Sequence, residues 1–280
     1  MMPAGFHRVS RLIPCKICGK PDWCLISDDR AICARIPSDT RWGDAGWLHS
    51  IDGRKPSSCA VVQHPKSEAF MEWPEILRQY MLDTTTARLC TLADGLGVSR
   101  ESLQLFGFVW AERHQAWAIP MHDGTSKVVG IRLRSEAGDK WAVRGSQQGL
   151  FLPRQWRQQP IVICEGPTDS AAIADAGFDV IGRPSCRGCI REALSILRTL
   201  PRGPVVIAAN YDEPKQRPDG TEFCPGQEGA RELADAIYRP MKIIYPKRGK
   251  DWRAFGASRE VMDAIIQNAG WHTRRSGVTA

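Results

Sequence analysis

"PIVICEGPTDSAAIADAGFDVIG", residues 160–182, reads as strand, helix, strand. The apolar run from Ile161 to Cys164 is too short for a helix and ends on Glu165; "TDSAAIADAG" continues as a helix and "FDVIG" as a second strand. The alternation goes on with "REALSILRTL" as helix, "PVVIAAN" as strand, "GQEGARELADAIY" as helix and "MKIIYP" as strand. This pattern predicts an α/β fold, a doubly wound core on a parallel sheet. Ligands of such sheets sit beyond the carboxyl ends of the strands. Acids collect there: Glu165 ends the first strand, Asp212 the third, and Asp251 follows the fourth in "YPKRGKDW". Asp169 comes one helical turn after Glu165, and Gly166 lets the chain pass close to a ligand. Converging acids repel one another unless a cation is present, and hard oxygen ligands select magnesium or manganese. One position breaks the pattern. In "NYD", Asn210 offers a carbonyl oxygen but no charge.

The N-terminal stretch carries a different chemistry. Four of the ten cysteines fall in "CKICGKPDWCLISDDRAIC", residues 15–33. Cys15 and Cys18 have the C-x-x-C spacing of a zinc knuckle, with Gly19 for the turn, while Cys24 and Cys33 lie in the strand-like runs "DWCLI" and "RAICARI". Four thiolates suit tetrahedral zinc, and a stretch this short needs the metal's binding energy to fold. Ribbons usually close with a second C-x-x-C, and Ile36 stands where its last cysteine would be, so His49 is an alternative fourth ligand. Cys186 and Cys189 form another C-x-x-C with no partner pair nearby, read as a turn entering a helix. Cys164 reads as a core thiol.

Between these regions, "DGRKPSSCAVVQHPKSE" has the composition of a linker. "TTTARLCTLADGLGVSRESLQLFGF" gives two short helices: Leu89, Leu92, Ala93 and Leu96 share one face, Gly97 ends the first helix and Ser99 caps the second. The second helix is poor in base-reading side chains, which favours a packing pair over a helix-turn-helix reader. "AWAIPMHD", "VVGIRLRS" and "KWAVRG" read as strands of a meander. Over residues 107–157 Lys and Arg outnumber acids eight to four, in a chain of net charge +7. Arg132 and Arg134 alternate with Ile131 and Leu133 and so share a sheet face; Lys140 and Arg144 fall on the next strand. Such a stripe is either a solvated face or a surface that tracks phosphates.

No apolar run approaches the roughly eighteen residues of a membrane span, and the N-terminus lacks the apolar centre of a signal peptide. A cytoplasmic protein with no membrane partner is expected, and a pI near 9.0 favours a polyanionic one.

From Glu165 to Asp251 the chain resembles a Toprim domain, the metal-binding fold of bacterial-type primases, type II and IA topoisomerases and some nucleases. "CEGPTD" matches its strand-ending Glu-Gly, "NYD" its D-x-D, and "GKDW" its downstream acid. The cysteine cluster resembles the zinc-binding domain of primases, and "VVGIRLRSEAGDKWAVRGSQQGLF" their basic sheet subdomain, in the primase order. The resemblance implies a primase of the phage and mobile-element kind, with an N-terminal zinc ribbon over 1–51, a linker over 52–72, a small α+β basic subdomain over 73–158, the Toprim core over 159–270 and a tail over 271–280. There is no G-x-x-x-x-G-K-[ST], so no helicase domain is expected. The resemblance further implies RNA primer synthesis on a single-stranded DNA template from ribonucleoside triphosphates, with a replicative helicase as a further partner. Glu165, Asp169, Asn210, Asp212 and Asp251 would be the catalytic group, Glu165, Asp212 and Asp251 holding magnesium or manganese. Lys140, Arg132, Arg134 and Arg144 would bind template or triphosphate, and Cys15, Cys18, Cys24 and Cys33 would hold zinc. Asn210 stands where Toprim primases have the first Asp of D-x-D, which weakens the site, with Glu213 as a further acid. Rival readings are a Toprim nuclease and a non-catalytic zinc and Toprim DNA-binding module.

Overall fold

The computed structural model describes residues 5–10, 12–21, 23–40, 42, 45–51, 72–157, 159–217 and 220–273. Apart from Glu72, the expected linker lies outside them, as do Cys59 and the tail from 274 on. The chain divides into two compact units, Met1–Ala69 and Phe70–Ala280.

In the first unit β1 (His7–Arg8), β2 (Leu25–Ile26), β3 (Arg30–Cys33) and β4 (Trp47–Ser50) form an antiparallel sheet in chain order. Its buried cluster consists of Val9, Ile26 and Ala31 with the side chains of Cys15, Cys24 and Cys33. Three apolar side chains are too few for a free-standing core, so the thiols must contribute more than packing.

The second unit opens with three helices, α1 (Trp73–Leu82), α2 (Thr86–Leu96) and α3 (Arg100–Leu105). Leu89, Ala93 and Leu96 are buried and Leu92 packs beside them, the expected face. Gly97, at φ 68°, stops α2; the Ser99 hydroxyl accepts the Ser102 amide to start α3. The Ser99 amide and hydroxyl both bond the Asp175 carboxylate, so the helix pair is packed into this unit. α1 was not read from the sequence. Its Tyr80 joins the cluster of Ile131 and Leu133. An antiparallel meander follows: β5 (Val109–Ala111), β6 (Ala116–His122), β7 (Val128–Ser135) and β8 (Lys140–Ala142). Ile131 and Leu133 are fully buried, which leaves Arg132 and Arg134 on the opposite face, with Lys140 paired to Arg134.

The rest of the unit is β9 (Ile161–Glu165), α4 (Pro167–Asp175), β10 (Asp179–Arg183), α5 (Ile190–Thr199), β11 (Val205–Ala208), β12 (Lys215–Gln216), β13 (Glu222–Phe223), α6 (Pro225–Ala236), β14 (Met241–Ile244), α7 (Trp252–Phe255) and α8 (Arg259–Asn268). β9, β10, β11 and β14 form a parallel sheet in the order β10-β9-β11-β14. Val162, Cys164, Val206 and Ile244 face a core shared with Ala171, Trp252 and Met262; Ile161, Ile163, Ile207 and Met241 face Ile196, Leu197 and Leu233. A sheet buried on both faces explains strands that read as unbroken apolar runs. The order reverses direction at β9, so the crevice opens beyond the carboxyl ends of β9 and β11. Two isolated bridges, His122 with Leu150 and Phe151 with Gly182, tie β6 to β10 and bring the basic face of the meander to that crevice. The insert before α6 contains the small β12–β13 hairpin. Among the described residues no helix is long and apolar enough to cross a membrane.

Candidate functional site

Cys15, Cys18, Cys24 and Cys33 bring their four sulfurs within 4.8 Å of one another. The Cys18–Cys24 and Cys24–Cys33 separations are 3.7 and 4.0 Å. A tetrahedron with Zn–S bonds of about 2.3 Å has S···S edges of about 3.8 Å. Backbone amides aim at the sulfurs: Ala34 at Cys24 (3.4 Å), Arg35 and Ile36 at Cys33 (3.5 and 3.3 Å). These N–H groups favour the thiolate form that binds metal. Burial works against ionisation of Cys18, yet the Lys20 amide and the three other thiols bring it down to about 7. Burial drives Cys24 up to about 12, as protons crowd a site built for four thiolates. Donor set and spacing fit zinc. His49 is no ligand here, since its Nε2 lies 2.9 Å from the Ile36 carbonyl oxygen.

At the crevice of the second unit, Glu165, Asp169, Asn210 and Asp251 line one cavity of about 130 Å³ together with Arg132, Arg134 and Lys140. Sequence neighbours explain each placement. Glu165 ends β9, and Gly166, at φ 83°, turns the chain straight into α4, whose first turn carries Asp169. Asp251 caps α7, its Oδ1 accepting the Ala254 amide at 2.7 Å. The α7 start is fixed by Trp252, buried and donating from Nε1 to the Ala209 carbonyl at 3.1 Å.

The cavity is electrostatically loaded. Burial, then repulsion from Asp251, lifts Asp169 to about 7, against the Arg253 amide that donates to it at 3.3 Å. Burial and the Asp212 charge raise Glu165, opposed by Arg183, Lys250 and Lys140. Lys140 is lowered by burial and by Arg134, opposed by the three acids Asp169, Glu165 and Asp251. Asn210 Oδ1 is enclosed with no hydrogen-bond partner. Carboxylates held above their usual range beside an unpaired carbonyl oxygen fit a hard divalent cation. They are not drawn tightly together, however. Among the described residues, the cysteines are the one group of three or more acids, histidines or cysteines whose ligand atoms lie within 4.8 Å.

Three expectations meet differences. Asp212 does not end a strand: β11 stops at Ala208, and the Tyr211 amide turns to the Lys250 carbonyl at 2.9 Å. The Asp212 carboxylate accepts the Gly226 amide at 2.8 Å and pairs with Lys250 Nζ at 2.9 Å, and it is not a lining residue of the acid cavity. Gln227 holds the Asp212 backbone from both sides, its Nε2 donating to the carbonyl and its Oε1 accepting the amide. Gly226 is required there, because a Cβ would stand 2.7 Å from the Asn210 carbonyl oxygen. Arg144 is exposed beyond the end of β8 and does not line the cavity, because that strand is only three residues long. Glu213 is exposed as well. Sequence reasoning missed Arg183, Lys250 and Arg253. Lys250 was signalled by its place beside Asp251, and Arg183 by a charge ending an apolar strand.

No protein-family model matches the sequence, and no curated protein matches it either. Solved structures do. The zinc-binding and RNA polymerase domains of the Aquifex aeolicus primase superpose with a TM-score of 0.54 at 12% identity, over 71% of this chain and 60% of that one. The Escherichia coli primase catalytic core gives 0.51 at 12% identity, over 70% and 79%. A DnaG primase catalytic domain bound to single-stranded DNA gives 0.51 at 14% identity, over 71% and 80%. This chain thus spans 60% of the Aquifex chain it matches. It has the α/β fold of primase catalytic cores, with a four-cysteine cluster in its N-terminal unit.

Proposed function

We propose that the chain is a DNA primase that polymerises ribonucleotides on single-stranded DNA. The observation that carries this reading is the single cavity in which Glu165, Asp169, Asn210 and Asp251 meet Arg132, Arg134 and Lys140, in a chain with the fold of primase catalytic cores. In this reading the four-cysteine module of residues 1–51 selects the template, residues 73–158 grip phosphates and residues 159–270 carry the chemistry. Arg132, Arg134 and Lys140 are half-buried cations, and burial strengthens their hold on phosphate oxygens. Glu165, raised above the usual carboxylate range, is poised to take the proton from a primer 3′-hydroxyl. Asp169 and Asp251, with the Asn210 carbonyl oxygen, would hold magnesium or manganese, with Asp212 beside them. Such ions, when bound, offset the charge of the triphosphate and favour the ionised hydroxyl. A replicative helicase is the natural partner of such an enzyme.

The test is incubation with labelled ribonucleotides, a single-stranded template and Mg²⁺ or Mn²⁺. Short template-dependent RNA is expected. Cleaved DNA would make the chain a nuclease, and neither product a DNA-binding module; both would overturn the proposal.

A further inference from the structure

Arg183 ends β10 in register with Glu165 at the end of β9. In a parallel pair the two side chains therefore rise from the same face of the sheet. Arg183 is only 3% exposed. Its Nε donates to the Gly188 carbonyl at 2.9 Å, which anchors the guanidinium, while the enclosed Nη2 has no hydrogen-bond partner. Asn210 Oδ1, enclosed likewise, has none either. Both residues line a second, smaller cavity of about 20 Å³, with Glu165, Ser185 and Gly226 also on its wall. An enclosed donor and an enclosed acceptor are each costly to leave unpaired, and native structures rarely do so. A single water needs about 10–15 Å³ and two to four polar partners. The cavity meets both conditions, and its polarity is matched: one free donor, one free acceptor and one carboxylate.

We propose that this cavity is a binding site for one water, which accepts from Arg183 Nη2 and donates to Asn210 Oδ1, with Glu165 to take its second proton. Asn210 also lines the larger acid cavity and so forms the wall between the two. Arg183 is then a positioning residue, holding the Asn210 amide without touching the reacting groups. A neutral side chain suits position 210 for the same reason: a carboxylate there would pair with Arg183 across the small cavity. The positioning role rests on the larger cavity being the reaction site. The water site does not, and unfolding measurements separate the two.

The experiment is a double-mutant cycle on the zinc-loaded full chain, read by calorimetric melting. Arg183→Met and Asn210→Ala should each lower the melting temperature by several degrees. Together they should lower it no further than the worse of the two, because either change removes the bridge. Simple addition of the two drops overturns the water site. Asn210→Asp should raise the melting temperature when Arg183 is present and lower it in the Arg183→Met background; the same sign in both backgrounds overturns it too. If Arg183→Met does not fold, Arg183→Gln replaces it, with the same expectations. For the positioning role, Arg183→Gln should weaken Mn²⁺ binding by about tenfold or more with zinc content unchanged. Unchanged Mn²⁺ affinity overturns that role. A full chain that binds no Mn²⁺ overturns it together with the reaction-site reading, and the cycle then still decides the water site.

Discussion

Lys250 Nζ lies 2.9 Å from Asp212 Oδ1, so a cation of the chain itself occupies the carboxylate that the sequence assigns to a metal. Lys250 is two-thirds exposed, and such a pair adds at most about 1 kcal/mol to stability. Lys250→Met should therefore leave the melting temperature nearly unchanged. By removing one positive charge beside the acid cavity it should tighten Mn²⁺ binding several-fold, measured by calorimetric titration. Weaker binding would mean that Lys250 positions Asp212 rather than competing with the ion.

Asp169 sets a pH dependence of opposite sign to that of an ordinary surface carboxylate. Its folded value of about 7 lies above the unfolded value near 3.9. Between these two values the folded chain binds more protons than the unfolded one, so this group's contribution to stability falls as pH rises from about 4 to about 7 and is constant above. Melting of metal-free second unit across this range should show that decline on raising pH, and Asp169→Asn should flatten it. Saturating Mn²⁺ should flatten it too, because a cation favours the ionised carboxylate.

The basic face should act through phosphate contacts. Lys140→Ala and Arg132→Ala should each weaken binding of single-stranded DNA or nucleotide and reduce the salt slope by about 0.7, the share of one phosphate contact. Zinc content and melting temperature should not change. Arg144→Ala, exposed and outside the cavity, should have less effect than either. Equal effects of all three would return the stripe to a merely solvated face.

The four-cysteine module should hold one zinc per chain. Cys24→Ser should lose the metal, by elemental analysis, while His49→Ala keeps it, since His49 bonds the Ile36 carbonyl. Chelation should abolish the protease resistance of the first unit and leave that of the second intact, because only the first lacks an apolar core large enough to persist alone.

Trp252 tests the scaffold under Asp251. Trp252→Ala removes a buried side chain and the hydrogen bond to Ala209, at a cost of about 3–5 kcal/mol. Trp252→Phe keeps much of the packing and loses only the hydrogen bond, so its melting temperature should fall by less than half as much.

The sequence alone determined the parallel core and the zinc cluster. A strand buried on both faces is written as an unbroken apolar run, as in Ile161–Cys164, and local spacing is enough to show a C-x-x-C. It also placed Glu165, Asp169 and Asp251 at one edge, because a parallel sheet puts every strand's carboxyl end on the same side. What it could not give was the direction of each side chain. Asp212 was read as a strand-ending ligand, but β11 stops four residues earlier, and the Gly226 amide, fourteen positions downstream, and Lys250 hold its carboxylate. Arg183 lies 27 positions before Asn210, and only the strand order, with β10 and β11 flanking β9, brings both to one small cavity. Local periodicity decides which elements form, since it reports each residue's burial within its own segment. Which polar atoms find partners is decided between segments, by the order in which the strands pair, and that order exists only in the folded chain.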